Sequence, residues 1–116
     1  MRLQSTMSRP EVMAALGDAD PAKVEIAAKA MGDHCSEGDY EEARKAYATA
    51  GGINAAVKAL LTHTNHVGAQ EQLCYALERL ACRDAANQAC VDITYSSALL
   101  PKTCVVSCIF VTGRYS

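Results

Sequence analysis

Histidine and cysteine are the side chains whose spacing here invites chemistry. His63 and His66 form a His-x-x-His pair, a spacing able to grip a divalent cation, with Cys74 downstream. No further ligand follows at a recognisable spacing and there is no Cys-x-x-Cys, so the two imidazoles read as solvated loop side chains. Cys104-x-x-x-Cys108 has a non-standard separation for a redox or metal pair and reads as two unrelated thiols. His34-Cys35 sets a base beside a nucleophile, but consecutive helical residues project about 100° apart and do not face each other. Gly51-Gly52 lacks the spacing and the Lys-Ser/Thr of a phosphate loop and reads as a helix terminator. Glu37, Asp39, Glu41 and Glu42 lack the alternating ligands of a calcium loop and read as a solvated face and helix start. The expectation is a protein with no catalytic residues, no metal and no cofactor.

The bulk numbers point the same way. A chain of 116 residues makes one domain. Its 50% apolar and 21% charged content is ordinary for a globular protein. A net charge of −2 gives no general pull toward nucleic acid or an anionic membrane. One Phe and no Trp leave a core of Ala, Leu, Val, Met and Cys, small side chains that suit closely packed helices. Six cysteines fit a disulfide framework in a small secreted chain. Here residues 1–20 hold no signal-peptide-like apolar run, and Cys74 and Cys82 sit within or at the end of an apolar helical pattern. Buried free thiols in a cytoplasmic protein, with the nucleus as the alternative, are therefore expected. The longest apolar run, Cys104–Val111, is far short of the ~20 residues of a membrane span.

The elements are punctuated by caps. Ser8-Arg9-Pro10-Glu11 reads as a capped helix start, with Val12, Ala15 and Leu16 on its apolar face and Gly17 at its end. Asp20-Pro21 opens a second helix carrying Val24, Ala27, Ala28, Met31 and Cys35, which stops near Ser36-Glu37-Gly38. Asp39, with Glu42 at the capping-box position, opens a third whose stripe is Tyr40, Ala43, Tyr47 and Ala50; Glu41 and Lys45 form an i,i+4 pair. Gly51-Gly52 closes it. Ile53, Ala56, Val57, Leu60 and Leu61 then recur at helical spacing, as do Leu73, Ala76, Leu77, Leu80 and Ala81. The short break at His63–Val67 makes these an antiparallel pair. Asp84 caps a sixth helix with Ala86, Ala89, Cys90 and Ile93 on one face.

The order short, long, connecting helix occurs twice. Val12 and Leu16 correspond to Val57 and Leu61, Ala30-Met31 to Ala76-Leu77, and Ala43 and Ala46 to Ala86 and Ala89, a period of roughly 43 to 46 residues. Three helices at such a period are the unit of an α-solenoid, in which each unit buries its apolar face on the next. Past Ile93 the pattern fails. Residues 94–116 are β-branched around Pro101 and read either as an irregular, loosely docked tail or as a segment unrelated to the fold, as an altered reading frame would give.

Ala50-Gly51-Gly52-Ile53, then Ala56-Val57-x-Ala59-Leu60-Leu61 and Gln70-Glu71-Gln72-Leu73-Cys74-Tyr75-Ala76-Leu77-x-x-Leu80-Ala81, resemble an armadillo repeat, and Asp84–Val91 resembles the first helix of the next. The resemblance is good over residues 40–93 and weaker over 9–39. It implies an all-α, right-handed α-solenoid over residues 8–93, with repeat 1 at about 8–50 and repeat 2 at about 51–93. It also implies a concave groove, lined by the third helices, that binds extended peptides or protein segments. Tyr75 and Arg79 stand where peptide-gripping armadillo helices carry Trp and Asn, and Lys29 and Asp33 occupy those positions in the first copy. That departure removes the usual backbone-gripping ladder and nuclear-signal binding with it. With Gln72, these residues form the expected binding face. A guanidinium i+4 from an aromatic ring suits a carboxylate or amide on a partner, whereas the plainer reading has Tyr75 half-packed on a neighbouring repeat and Arg79 solvated. Residues 30–50 also resemble, more locally, a tetratricopeptide repeat. Either family implies a protein-protein interaction module. About two repeats are few for such a stack, so the alternative is a fragment or terminal piece of a longer array, or a chain that self-associates.

Overall fold

The computed structural model describes residues 7–81, 84 and 86–89. Five helices run in order: α1 (Arg9–Leu16), α2 (Pro21–His34), α3 (Tyr40–Thr49), α4 (Gly52–Thr62) and α5 (Val67–Ala81). Residues 86–89 are helical as well, and no strand occurs among the described residues. The all-helical class expected from periodicity holds. The tail at 94–116, Cys82, Cys90 and Ile93 lie outside the described residues.

The helix starts follow local hydrogen-bond accounting. The Ser8 hydroxyl accepts from Glu11 N while the Glu11 carboxylate accepts from Ser8 N at 2.8 Å, a complete capping box. Asp20 accepts from Ala22 N at 3.0 Å and Pro21 fills the first helical position, where no amide proton is needed. Asp84 accepts from Asn87 N at 3.0 Å. Each such cap contributes about 1 kcal/mol. Asp39 departs from expectation: it precedes α3, but its side chain makes no cap bond. Gly51, between α3 and α4, has φ +88°, the left-handed geometry that glycine adopts without a Cβ penalty.

Val12, Leu16, Val24, Ala27, Ala28, Met31, Cys35, Tyr47, Ile53, Val57, Leu60, Leu73, Leu77 and Leu80 belong to one buried cluster. The stripes of α2 and α5 are buried as their spacing predicts. Those of α3 and α4 are partly mis-phased. Leu61 is 41% exposed, and Ala59 is buried in its stead. On α3, Tyr40 and Ala50 are exposed and Arg44 is buried. The Arg44 guanidinium lies 4.8 Å from the Tyr40 ring centroid, so the arginine covers apolar surface with its stem and stacks its head. In the last described turn, Ala86 and Ala89 are exposed and Asn87 is buried. The cause is polar satisfaction: Asn87 Nδ2 donates to Leu80 O at 2.8 Å, meeting a carbonyl that the end of α5 leaves open. Gln88 Nε2 does the same for Ala81 O, and Gln70 Nε2 for Leu60 O and His63 O at the end of α4.

The most extensive helix contact is between α2 and α5. Glu25 meets Gly68 and Gly32 meets Tyr75, so both residue numbers rise together and the two helices run parallel. Contacts between the two halves fall at nearly constant sequence separation. His63 Nε2 to Asp18 O spans 45 residues, Tyr75 Oη to Asp33 Oδ1 spans 42, and Asn87 Nδ2 to Arg44 O spans 43.

Candidate functional site

The face expected to bind spans α2 and α5, and the structure brings much of it together. Gly32 is the enabling residue. A Cβ there would overlap the Tyr75 ring, so only glycine lets that ring lie against α2. From that position the Tyr75 hydroxyl donates to Asp33 Oδ1 at 2.9 Å. Asp33 Oδ2 pairs with Lys29 Nζ at 3.0 Å, one helical turn back on α2. The Asp33 carboxylate raises the Lys29 pKa by accepting its hydrogen bond and by its charge. Burial, followed by the Asp33 contact and against a lowering contact with Ser36, holds the Tyr75 phenol above the usual tyrosine range. Ser36 itself donates to Gly32 O at 2.7 Å, fixing the end of α2 beneath the ring.

The five expected residues therefore divide. Asp33 and Tyr75 are engaged with each other across the two helices. The Lys29 ammonium is paired but has 62% of its side chain exposed. Gln72 is half-buried on α5. Arg79 turns its Nε away from solvent, and its charge is felt at both Tyr75 and the Cys35 thiol. Gly32 was not among the expected residues. Its signal was a glycine inside an otherwise regular helix, a position that costs stability unless something packs against it.

Of the two loop histidines, His63 is not a solvated side chain, whereas the His66 side chain is 37% exposed. His63 is 9% exposed, and its Nε2 donates to Asp18 O at 3.2 Å. His66 precedes α5, and its Nδ1 accepts from Ala69 N at 3.0 Å. The two rings thus serve two separate backbone groups. Among the described residues, no group of three or more His, Cys, Asp or Glu side chains is arranged to hold a metal ion.

His34 lies at a cleft of about 400 Å³ formed by residues before α1, the end of α2 and the turn into α3, with Arg9, Asp33, Glu37 and Asp39 around it. Its ring stacks on Tyr47 with centroids 5.9 Å apart, and Nδ1 lies 2.6 Å from the Tyr47 hydroxyl. The ring also donates to the Met7 backbone, which leaves Nδ1 as acceptor for the Tyr47 proton. Burial, and next the Arg9 charge, lower its pKa. Cys35 is fully buried, and burial pushes its thiol up to about 12, so it stays protonated at neutral pH. Cys35 and Cys74 are not disulfide-bonded.

No helix among the described residues is long and apolar enough to cross a membrane. Compared with protein-family models, curated protein sequences and solved structures, the chain matches none.

Proposed function

We propose that this chain is a helical-repeat interaction module: two armadillo-like units stacked as a right-handed α-solenoid, binding an extended segment of another protein along the α2/α5 face. The observation that carries this reading is the constant separation of the inter-unit contacts at 45, 42 and 43 residues. Units related by translation meet at equivalent positions, so their contacts cluster at one repeat length; unrelated helices packing in a globule have no reason to do so. The parallel contact between α2 and α5, the long helix of each unit, supports the same arrangement.

Within that face the roles differ from residue to residue. Lys29 and Gln72 offer an ammonium and an amide to a partner, with Arg79 about two helical turns beyond Gln72 on α5. Asp33 and Tyr75 hold the two helices in register. No step here calls for catalysis or a cofactor, and Cys35 and Cys74, which are not disulfide-bonded, suit the cytoplasm or nucleus.

The test is affinity capture from the source cell's lysate by wild type, by Lys29→Ala/Gln72→Ala, and by Lys58→Ala as a control on the α1/α4 side. A protein retained by wild type and the control but lost by the double variant supports the reading. Equal retention by all three overturns the proposed face. Retention of only further copies of the chain favours a piece of a longer array.

A further inference from the structure

His66 is the last residue before α5, and one of its ring nitrogens has two demands on it. Nδ1 accepts from Ala69 N at 3.0 Å. The same atom lies 3.9 Å from Glu25 Oε1 on α2. A backbone amide can only donate, so the first contact fixes the neutral tautomer with its proton on Nε2. Ala69 is fully buried and its amide lies in the first turn of α5, before the helix's own ladder begins with Gln70 N to His66 O. The imidazole is therefore the cap of α5, filling the role usually given to Ser, Thr, Asp or Asn.

Protonation reverses the chemistry of that atom. An imidazolium Nδ1 carries a proton, cannot accept from Ala69, and becomes a donor facing the Glu25 carboxylate. Glu25 lies over the start of α5, with its carboxylate beside Gly68. In the loop before α5, titratable His63 accepts from His66 N through its carbonyl and turns its ring to Asp18 O. From α2 the facing group is Glu25, while Lys29 is engaged by Asp33 further along that helix. From α4, Lys58 lies in the groove with Asp18 and Thr62, on the α1 side. On α3, Arg44 sits by the far end of α5, near Leu80. On α5 itself, Glu71 is exposed in the following turn.

We propose that His66 is a proton-operated latch between the two units: neutral, it caps α5; protonated, it releases the Ala69 amide and pairs with Glu25 of α2. Acid thus exchanges an intra-unit bond for an inter-unit one and loosens the first turn of α5. The latch stands on these contacts whether or not the α2/α5 face binds a partner.

The experiment is NMR on the full chain, following the His66 ring nitrogens and the Ala69 amide from about pH 8 to about pH 5. At the upper end the ring shifts should report the Nε2–H tautomer. As the ring titrates, protection of the Ala69 amide, corrected for intrinsic exchange, should fall roughly five-fold, the size of a lost N-cap. In His66→Asn, whose amide oxygen caps at any pH, that protection should not change across the range. An Nδ1–H tautomer at the upper end, or unchanged Ala69 protection across the wild-type ring titration, overturns the latch. Both readings come from the wild-type chain and do not depend on the variant folding.

Discussion

Gly32 and Tyr75 are paired so closely that neither side chain is understood alone. Gly32→Ala gains about 1 kcal/mol of helix propensity but drives a methyl into the Tyr75 ring, an overpacking cost of about 1–3 kcal/mol. Urea unfolding should find the substitution destabilising in wild type and stabilising by about 1 kcal/mol in a Tyr75→Ala background. The same sign in both backgrounds would mean that the ring does not lie on Gly32. His34 makes a second prediction at this scale. Its folded-state pKa is lowered, so the folded protein takes up that proton at a lower pH than the unfolded chain. Its contribution is intact above the ordinary imidazole value of 6.5 and is lost as pH falls from there through the folded-state value. Urea midpoints between about pH 7.5 and about pH 5 should drop in wild type and drop less in His34→Gln. An equal drop would take His34 out of the pH response. Thiol accessibility follows the same burial logic. Cys35 should resist alkylation in the folded protein while half-buried Cys74 reacts sooner, as residue-resolved mass analysis of the labelled chain would read.

Among the elements, what was legible in the sequence was what local bonding decides. Ser8, Asp20 and Asp84 cap helices because their oxygens reach amides two or three residues on, and such reach is written in sequence spacing. The stripes of α2 and α5 were legible because those helices pack on each other along much of their length. α3 was not, because its buried face includes an arginine whose guanidinium lies over the Tyr40 ring. Asn87 was missed for a related reason: hydropathy assigns the inward face to Ala86 and Ala89, whereas the open carbonyl of Leu80 requires a donor there. His63 departs from the solvated reading because its partner, Asp18 O, is a backbone group that no side-chain pattern advertises. If the Asn87 account holds, Asn87→Ala should cost about 1–3 kcal/mol by leaving buried backbone acceptors without their donor. A change below a few tenths of a kcal/mol on urea unfolding would contradict it.

For the whole molecule, three contacts span 45, 42 and 43 residues, close to the spacing of Val12/Val57 and Ala30/Ala76 in the sequence. Under the proposed stack, Asp18–His63, Asp33–Tyr75 and Arg44–Asn87 are the positions at which a second unit would touch the first. The role of the binding face was less legible, because the sequence does not distinguish a tyrosine offered to a partner from one spent on the neighbouring helix. Gly32 decides that for Tyr75. The stack is the premise of the interaction reading, and nuclear Overhauser contacts from the Tyr75 ring test it most directly. Strong cross-peaks from the ring protons to the Gly32 Hα protons, together with contacts between His63 and Asp18, are the result the stacked arrangement predicts. A Tyr75 ring with cross-peaks only to its own helix would contradict it and would remove the basis for the α2/α5 face.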